Sequence, residues 1–230
     1  MTDPSIVALT GVPEVEPGAD LARLVGDAIE RAGGLRPGDV LVVAHKVVSK
    51  AEGRLEQTDD HVAVALREAR AVRRRRGDLV IAETKHGFVC ASAGIDRSNA
   101  PGDGWVVLLP EDPDASARGL RNALEARFGL APAVIVSDSF GRAWRRGTVE
   151  VAIGVAGMEP LLDLRGTADR RGYVLQTTLV ALADELASAA GLVMGKADGI
   201  PAALIRGAAY SGGEGSARDL VMPPELDLFT

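Results

Sequence analysis

The chain has 230 residues, 47% hydrophobic and 25% charged, with a formal net charge of −6. That length can bury roughly 70% of the unfolded surface, so no disulfide or metal staple is demanded, and the acidic balance excludes the broad basic face that nucleic-acid or membrane binding needs. Aromatics reach only 3%, so aliphatic side chains must build the core and few surfaces remain for stacking bases.

The N-terminus, Met1-Thr-Asp-Pro-Ser5, lacks the basic region and apolar core of a signal peptide, and no apolar stretch reaches the ~20 residues of a membrane span. A cytoplasmic protein is expected. A first apolar run at 6–10 leads into Gly11-Val-Pro-Glu-Val-Glu-Pro-Gly18, where two prolines and two glycines predict an exposed, extended loop. Asp20 then caps a helix carrying Leu21, Leu24, Val25, Ala28 and Ile29 at helical spacing, stopped by Gly33-Gly34. The continuous apolar run Val40-Leu-Val-Val-Ala44 predicts a buried strand.

Residues 59–74 read as a helix with Val62, Val64, Ala65 and Ala69 inward, and Arg73-Arg-Arg-Arg76 as its solvated, dipole-favoured end. Residues 79–82 and 87–91 predict paired strands. The single cysteine, Cys90, lies in the second of them; it excludes an intrachain disulfide, fits a reducing compartment, and reads as a buried small hydrophobe rather than a nucleophile. A strand is expected at 105–110, a helix capped by Asp114 through Phe128, and a strand at 133–137. Residues 151–156 are β-like, 163–172 a charged loop, and 176–193 the longest helix, with Thr177 and Thr178 as candidate caps. A last strand is expected at 202–206. The elements interleave without the steady spacing of a Rossmann or barrel fold, so mixed α+β is predicted, in one domain over 1–230. There is no GxxxxGK[ST] loop and no GxGxxG after a strand.

Two aspartates stand where apolar runs meet loops rich in glycine, serine and asparagine: Asp96 in Ser92-Ala-Gly-Ile-Asp-Arg-Ser-Asn99 and Asp138 in Val134-Ile-Val-Ser-Asp-Ser-Phe-Gly141. Mg2+ or Mn2+ wants oxygen ligands, usually one or two carboxylates plus water and nucleotide phosphates. Arg142, Arg145 and Arg146 follow Asp138, and their planar forks suit phosphate oxygens. The other reading is two ordinary turn aspartates beside a solvated loop.

Seven segments in order carry a resemblance: Gly11-Val-Pro-Glu-Val15, Gly38-Asp-Val-Leu-Val-Val-Ala-His-Lys-Val-Val-Ser-Lys-Ala-Glu-Gly-Arg54, Glu83-Thr-Lys-His-Gly-Phe-Val-Cys-Ala-Ser-Ala-Gly-Ile-Asp-Arg-Ser-Asn99, Ser137-Asp-Ser-Phe-Gly-Arg-Ala-Trp-Arg-Arg-Gly147, Val151-Ala-Ile-Gly-Val-Ala-Gly157, Ala183-Asp-Glu-Leu-Ala187 and Met194-Gly195. Over nearly its whole length the chain closely resembles the coenzyme F420-0:L-glutamate ligase family. The resemblance implies the family's own α+β fold with mixed sheets and an intertwined homodimer. It implies GTP-dependent addition of L-glutamate, gamma-linked on extension, to the lactyl carboxylate of the deazaflavin precursor F420-0 through an acyl phosphate.

By the same resemblance, Val12, Pro13, Glu14, Val15, His45, Lys46, Lys50, Asn99, Gly195 and Lys196 match GTP contacts. Asp96 and Asp138 match ligands of Mg2+ or Mn2+, and Ser139 a ligand of a second metal; K+ is a further candidate cation. Lys50 with Arg142, Arg145 and Arg146 would screen the transferring phosphoryl group. Two departures stand out: His45-Lys46 replaces a Ser-Thr pair of archaeal members, and Lys196 replaces a metal-binding Glu or Gln. A protonated lysine cannot ligate a cation, so Lys196 would place a fixed positive charge near the phosphates. Actinobacterial relatives often carry a nitroreductase-like flavin domain after this module, and residues 223–230 would begin the linker to it. The alternatives are a non-catalytic GTP or F420 binding module needing that flavin domain, and a metal phosphohydrolase.

Overall fold

The computed structural model describes residues 3–228; Met1 and Thr2 of the expected leaderless start, and Phe229 and Thr230 of the expected linker, lie outside the described residues. The core is a five-stranded sheet in the order β1 (Ser5–Ala8), β12 (Ala202–Arg206), β2 (Val40–Ala44), β8 (Ala133–Arg142) and β9 (Arg145–Ala156). β2 and β8 run parallel, and the other neighbours are antiparallel. Consecutive residues 40–43, 134–136 and 202–204 are all fully buried. Since successive side chains point to opposite faces, both faces of the central strands are covered, which is why these strands read as unbroken apolar runs.

Three helices cover this sheet. α1 (Leu21–Arg31) is capped as predicted by the Asp20 carboxylate accepting from the Arg23 N–H, and buries Leu24, Val25, Ala28 and Ile29. α4 (Pro113–Phe128) packs on β8 and β9, and α5 (Leu182–Met194) on β9, β12 and β1. Small residues set the approach of the helices. A Cβ on Gly154 of β9 would lie 2.3 Å from the Pro113 carbonyl oxygen at the start of α4. Full burial of each Leu, Ile or Val in this cluster contributes about 1.5–3 kcal/mol.

A second, smaller layer is inserted between β2 and β8. It consists of α2 (His45–Ala51), β3 (Leu55–Gln57), α3 (His61–Glu68), β4 (Ala69–Arg76), β5 (Leu79–Thr84), β6 (Val89–Ala91) and β7 (Trp105–Val107). β4, β5 and β6 form one antiparallel sheet and β3 pairs with β7. Val62, Val80, Ala82 and Ala93 make its own small core. A short pair, β10 (Leu162–Asp163) with β11 (Leu179–Val180), holds the base of the excursion at 163–179. The architecture is mixed α+β, as predicted.

Several boundaries differ from the sequence reading. The helix expected at 59–74 stops at Glu68, and residues 69–76 form an edge strand paired with β5. Arg73–Arg76 are therefore on an exposed strand edge and not at a helix end. Charged side chains suit an edge strand because they discourage pairing with another chain. The helix expected at 176–193 begins at Leu182 after the short β11, so Thr177 and Thr178 cap nothing and Ala181 stands at the N-cap. Among the described residues α4, at 16 residues, is longer than α5, at 13. Asp112, not Asp114, caps α4. The strand expected at 105–110 ends at Val107.

Candidate active site

The two long strands of the core hairpin place the first aspartate. Asp138 was expected at a strand end, but β8 continues to Arg142, so the residue sits mid-strand. The β8–β9 register shifts by one between Val136 and Ser137. The extra residue is Ile153 of β9, and such a bulge bends its strand and re-aims the side chains beyond it, setting Glu150 opposite Ser139. In the parallel β2–β8 pair Ala44 lies opposite Ser137, so the next residues, His45 and Asp138, become neighbours. His45 Nε2 lies 3.2 Å from Asp138 Oδ1, a close approach that lacks hydrogen-bond alignment, and the Ser139 N–H donates to the same oxygen at 2.6 Å. Asp138 is only 9% exposed. Burial pushes its pKa up, but the charge of His45 and the Ser139 N–H outweigh it, and the carboxyl stays below its usual value despite the nearby Asp96 charge.

Asp96 arrives from the smaller layer. A 3-10 turn, Ser92–Gly94, has φ of 52° at Ser92 and at Ala93 and 76° at Gly94. Such left-handed values cost of order 1 kcal/mol for residues with a Cβ. At Gly94 a Cβ would also fall 2.6 Å from Leu109, so only glycine fits. The Asp96 backbone then bridges to Val107, and its carboxylate accepts from the Ser98 N–H at 2.7 Å. Lys46 Nζ lies 2.7 Å from Asp96 Oδ2 and donates to Ser98 Oγ at 2.6 Å. Burial raises the Asp96 pKa, but Lys46 and the Ser98 N–H hold it below the ordinary value. Both aspartates are thus ionised and already faced by cationic or ring nitrogen groups.

These groups open onto one cleft at a single edge of the core sheet. Its wall is built by the loop after β1 (Val12, Pro13, Glu14, Val15), by His45, Lys46 and Lys50 of α2, by Asn99, by Asp138 and Ser139 of β8, and by Gly195 and Lys196 after α5. Chain direction explains the convergence. β1 and β2 end at this edge, β8 passes through it at Asp138, and the antiparallel β12 begins there. Asp138 and Ser139 also line an adjoining recess, where Asp96 joins them with Cys90 and Gly141. Lys50, with 6% of its side chain exposed, pairs with Glu14 across the mouth.

The hairpin arginines are placed otherwise. Arg142, Arg145 and Arg146 are exposed at the far end of β8–β9, line neither the cleft nor the recess, and Arg142 Nη2 donates to the Arg146 carbonyl at 3.4 Å. Trp144 at the tip is 82% exposed with φ of 56°. The sequence reading also missed Glu150. This carboxylate lies in the cleft wall and accepts from Ser137 Oγ at 3.0 Å, from Ser139 Oγ, and from Lys196 Nζ at 2.7 Å. The available signal was a lone acid just before the apolar run 151–156, which strand pairing sets opposite Ser139.

The donors offered by Asp96 and Asp138, and separately by the Ser139 hydroxyl toward a second cation, are all oxygen and suit hard divalent ions completed by water and phosphate. Among the described residues no group of three or more His, Cys, Asp or Glu side chains is gathered for a metal, so an all-protein cage is not on offer. Cys90 is no competitor. It is buried, and burial together with the Asp138 charge pushes its thiol up to about 12. Reaction of the folded protein with a disulfide reagent at pH 8 is expected to be about a thousandfold slower than that of a free thiol, with one equivalent titrating on unfolding. A fast native reaction would contradict the burial.

A family model described as F420-0:Gamma-glutamyl ligase matches residues 11–207. The chain belongs to the F420-0:gamma-glutamyl ligase family. It is similar to the coenzyme F420:L-glutamate ligase of Methanothermobacter thermautotrophicus, with 43% identity covering 98% of each chain. The protein of the same name from Methanopyrus kandleri is 45% identical over 94% of this chain and 93% of the relative. That from Haloarcula marismortui is 38% identical over 97% and 94%. As a member of the F420-0:gamma-glutamyl ligase family the chain is a ligase, and the cleft with its aspartate recess is the place where its described residues gather reactive groups.

Proposed function

We propose that this ligase acts in coenzyme F420 biosynthesis, joining L-glutamate to the terminal carboxylate of F420-0 with GTP as the energy source. The observation that carries the reading is the meeting of three lysines, Lys46, Lys50 and Lys196, with Asp138 in one cleft beside the Asp96 recess. A polyphosphate needs cationic neutralisation and a metal-bridging carboxylate pair, and this wall offers both. Its relatives of matching length bear the ligase name, which favours catalysis by this module over a binding role that needs a flavin domain.

A carboxylate resists attack by an amine, so it is first made electrophilic. An acceptor carboxylate oxygen attacks the γ-phosphorus, the bond to GDP breaks, and an acyl phosphate results. The glutamate nitrogen then attacks the acyl carbon, phosphate leaves with the C–O electron pair, and the nitrogen loses a proton to water. Asp96 and Asp138 would hold a Mg2+ or Mn2+, with Ser139 offered to a second cation, and when bound such cations would neutralise phosphate charge. Lys46 and Lys50 hold and orient the phosphates, and the Gly11 loop closes over the nucleotide. The reading includes a homodimer, supported by exposed apolar side chains at Leu162, Tyr173, Val174 and Leu179; light scattering checks it.

Mass spectrometry of F420-0 incubated with the protein, GTP, Mn2+ and L-glutamate tests the function. Glutamyl-extended product and GDP in equal amount are expected. GTP hydrolysis without extension would overturn the ligase reading in favour of a phosphohydrolase.

A further inference from the structure

Glu150 belongs to none of the groups assigned so far, yet it is the most heavily bonded acid in the cleft. It stands directly opposite Ser139 in the β8–β9 ladder, with 12% of its side chain exposed. Oε2 accepts from Ser137 Oγ at 3.0 Å, and Oε1 accepts from Ser139 Oγ and from Lys196 Nζ at 2.7 Å. α5 is fitted around it. The Ser188 hydroxyl donates to the Glu150 carbonyl at 2.7 Å, and a Cβ on Gly191 would lie 2.8 Å from Glu150 Cγ.

A carboxylate that accepts from three donors and carries a lysine ammonium is poorly disposed to take a proton from a substrate. Its chemistry is to hold donors in place. Lys196 sits beyond the end of α5 with 61% of its side chain exposed, and a free lysine stem there would sample many rotamers. Anchoring its ammonium on a buried acid removes that freedom before any ligand arrives. The same carboxylate fixes the hydroxyl of Ser139, whose N–H is committed to Asp138.

We propose that Glu150 is a positioning residue of this ligase, holding the Lys196 ammonium against the cleft wall so that its remaining N–H groups meet an incoming polyphosphate preorganised, while the Ser139 hydroxyl it fixes keeps only its lone pairs free. The inference rests on reading the cleft as the GTP site. A lost anchor acts on nucleotide affinity through Lys196, so the effects of the two residues must be coupled and not additive.

The experiment is a cycle of Glu150→Gln, Lys196→Met and the double variant, with GTP affinity by calorimetry, KM and kcat for GTP, and thermal melting. Gln keeps an oxygen for one serine, its NH2 can donate to the rotated hydroxyl of the other, and the charge that holds Lys196 is removed. Each single variant is expected to weaken GTP binding about tenfold, with KM rising more than kcat falls. The double variant should be no more than about twofold worse than the weaker single. Unchanged GTP affinity in Glu150→Gln, or losses that multiply in the double variant, would overturn the assignment while leaving the nucleotide reading intact. If Glu150→Gln fails to fold, Lys196→Met, on an exposed loop, decides: unchanged GTP affinity sinks the proposal. Wild-type protein that binds no GTP would overturn the nucleotide reading and this assignment with it.

Discussion

Asp138→Asn is expected to lower glutamyl transfer by at least about a thousandfold while the protein still folds. The size follows from what the residue would do: a carboxylate that holds charge against a transferring phosphoryl group acts most strongly in the transition state, and such groups are worth several kcal/mol. Asn keeps the shape and an oxygen for the Ser139 N–H, so the strand and its bulge survive. What it loses is the negative charge that faces His45 at 3.2 Å and that a cation would use. Binding of Mn2+ with GTP, read by electron paramagnetic resonance, should weaken in parallel, whereas the melting temperature should move by only a few degrees. Activity within tenfold of wild type would remove Asp138 from the reacting centre. Asp96→Asn should give the same signature, because the two acids close one recess from two separate layers of the fold.

Asp114→Ala should produce the largest loss of stability, about 3 kcal/mol, or roughly 6–12 °C in melting temperature for a chain of this size. Only 8% exposed, Asp114 accepts at Oδ1 from the Val155 N–H at 2.7 Å and the Ala217 N–H at 3.0 Å, and at Oδ2 from Ser216 Oγ at 2.5 Å. Three segments far apart in the chain meet on this one carboxylate. Removing it strands two buried backbone donors, each costing about 1–3 kcal/mol. Asp114→Asn should lose only about 1 kcal/mol, since its oxygen can serve both N–H groups while its amide donates to the Ser216 hydroxyl. Equal melting of the Ala and Asn variants would refute this account. Asp112→Ala, by contrast, removes an exposed N-cap bond and a long surface ion pair with Arg118, and should cost about 1 kcal/mol.

The two neighbours Asp112 and Asp114 illustrate where reading a sequence stops. Either acid can cap a helix that starts near Pro113, and local pattern alone does not choose between them. The choice is made by β9 and the segment around Ser216, which approach from 41 and 103 residues away and claim Asp114. The same limit explains 69–76. Its alternation of charge with a few apolar residues fits a helix end as well as an edge strand, and pairing with β5 decides for the strand. Asp138 stood out as a candidate because its neighbours are unusual, but its mid-strand setting was not legible, since Ser-Phe-Gly-Arg has no obvious strand pattern.

By itself the sequence determined the buried strands at 40–44, 133–137 and 202–206, the capped helix at 21–31, the α+β class and the family. Each rests on signals carried within a few residues or on ordered motifs: continuous apolar runs, a cap three residues from its N–H, segments in a recognisable succession. The resemblance implied that the Gly11 loop, α2, Asp138 and the Lys196 loop meet, but only the tertiary structure showed how they come to share one edge, because that depends on strand order and direction. The tertiary structure alone placed Glu150 under α5 and set Arg142, Arg145 and Arg146 at the exposed tip. The physical reason is one of range. Burial patterns and caps are local energies written in neighbouring residues, whereas the partners of a buried charge are chosen by which distant strands come to lie side by side.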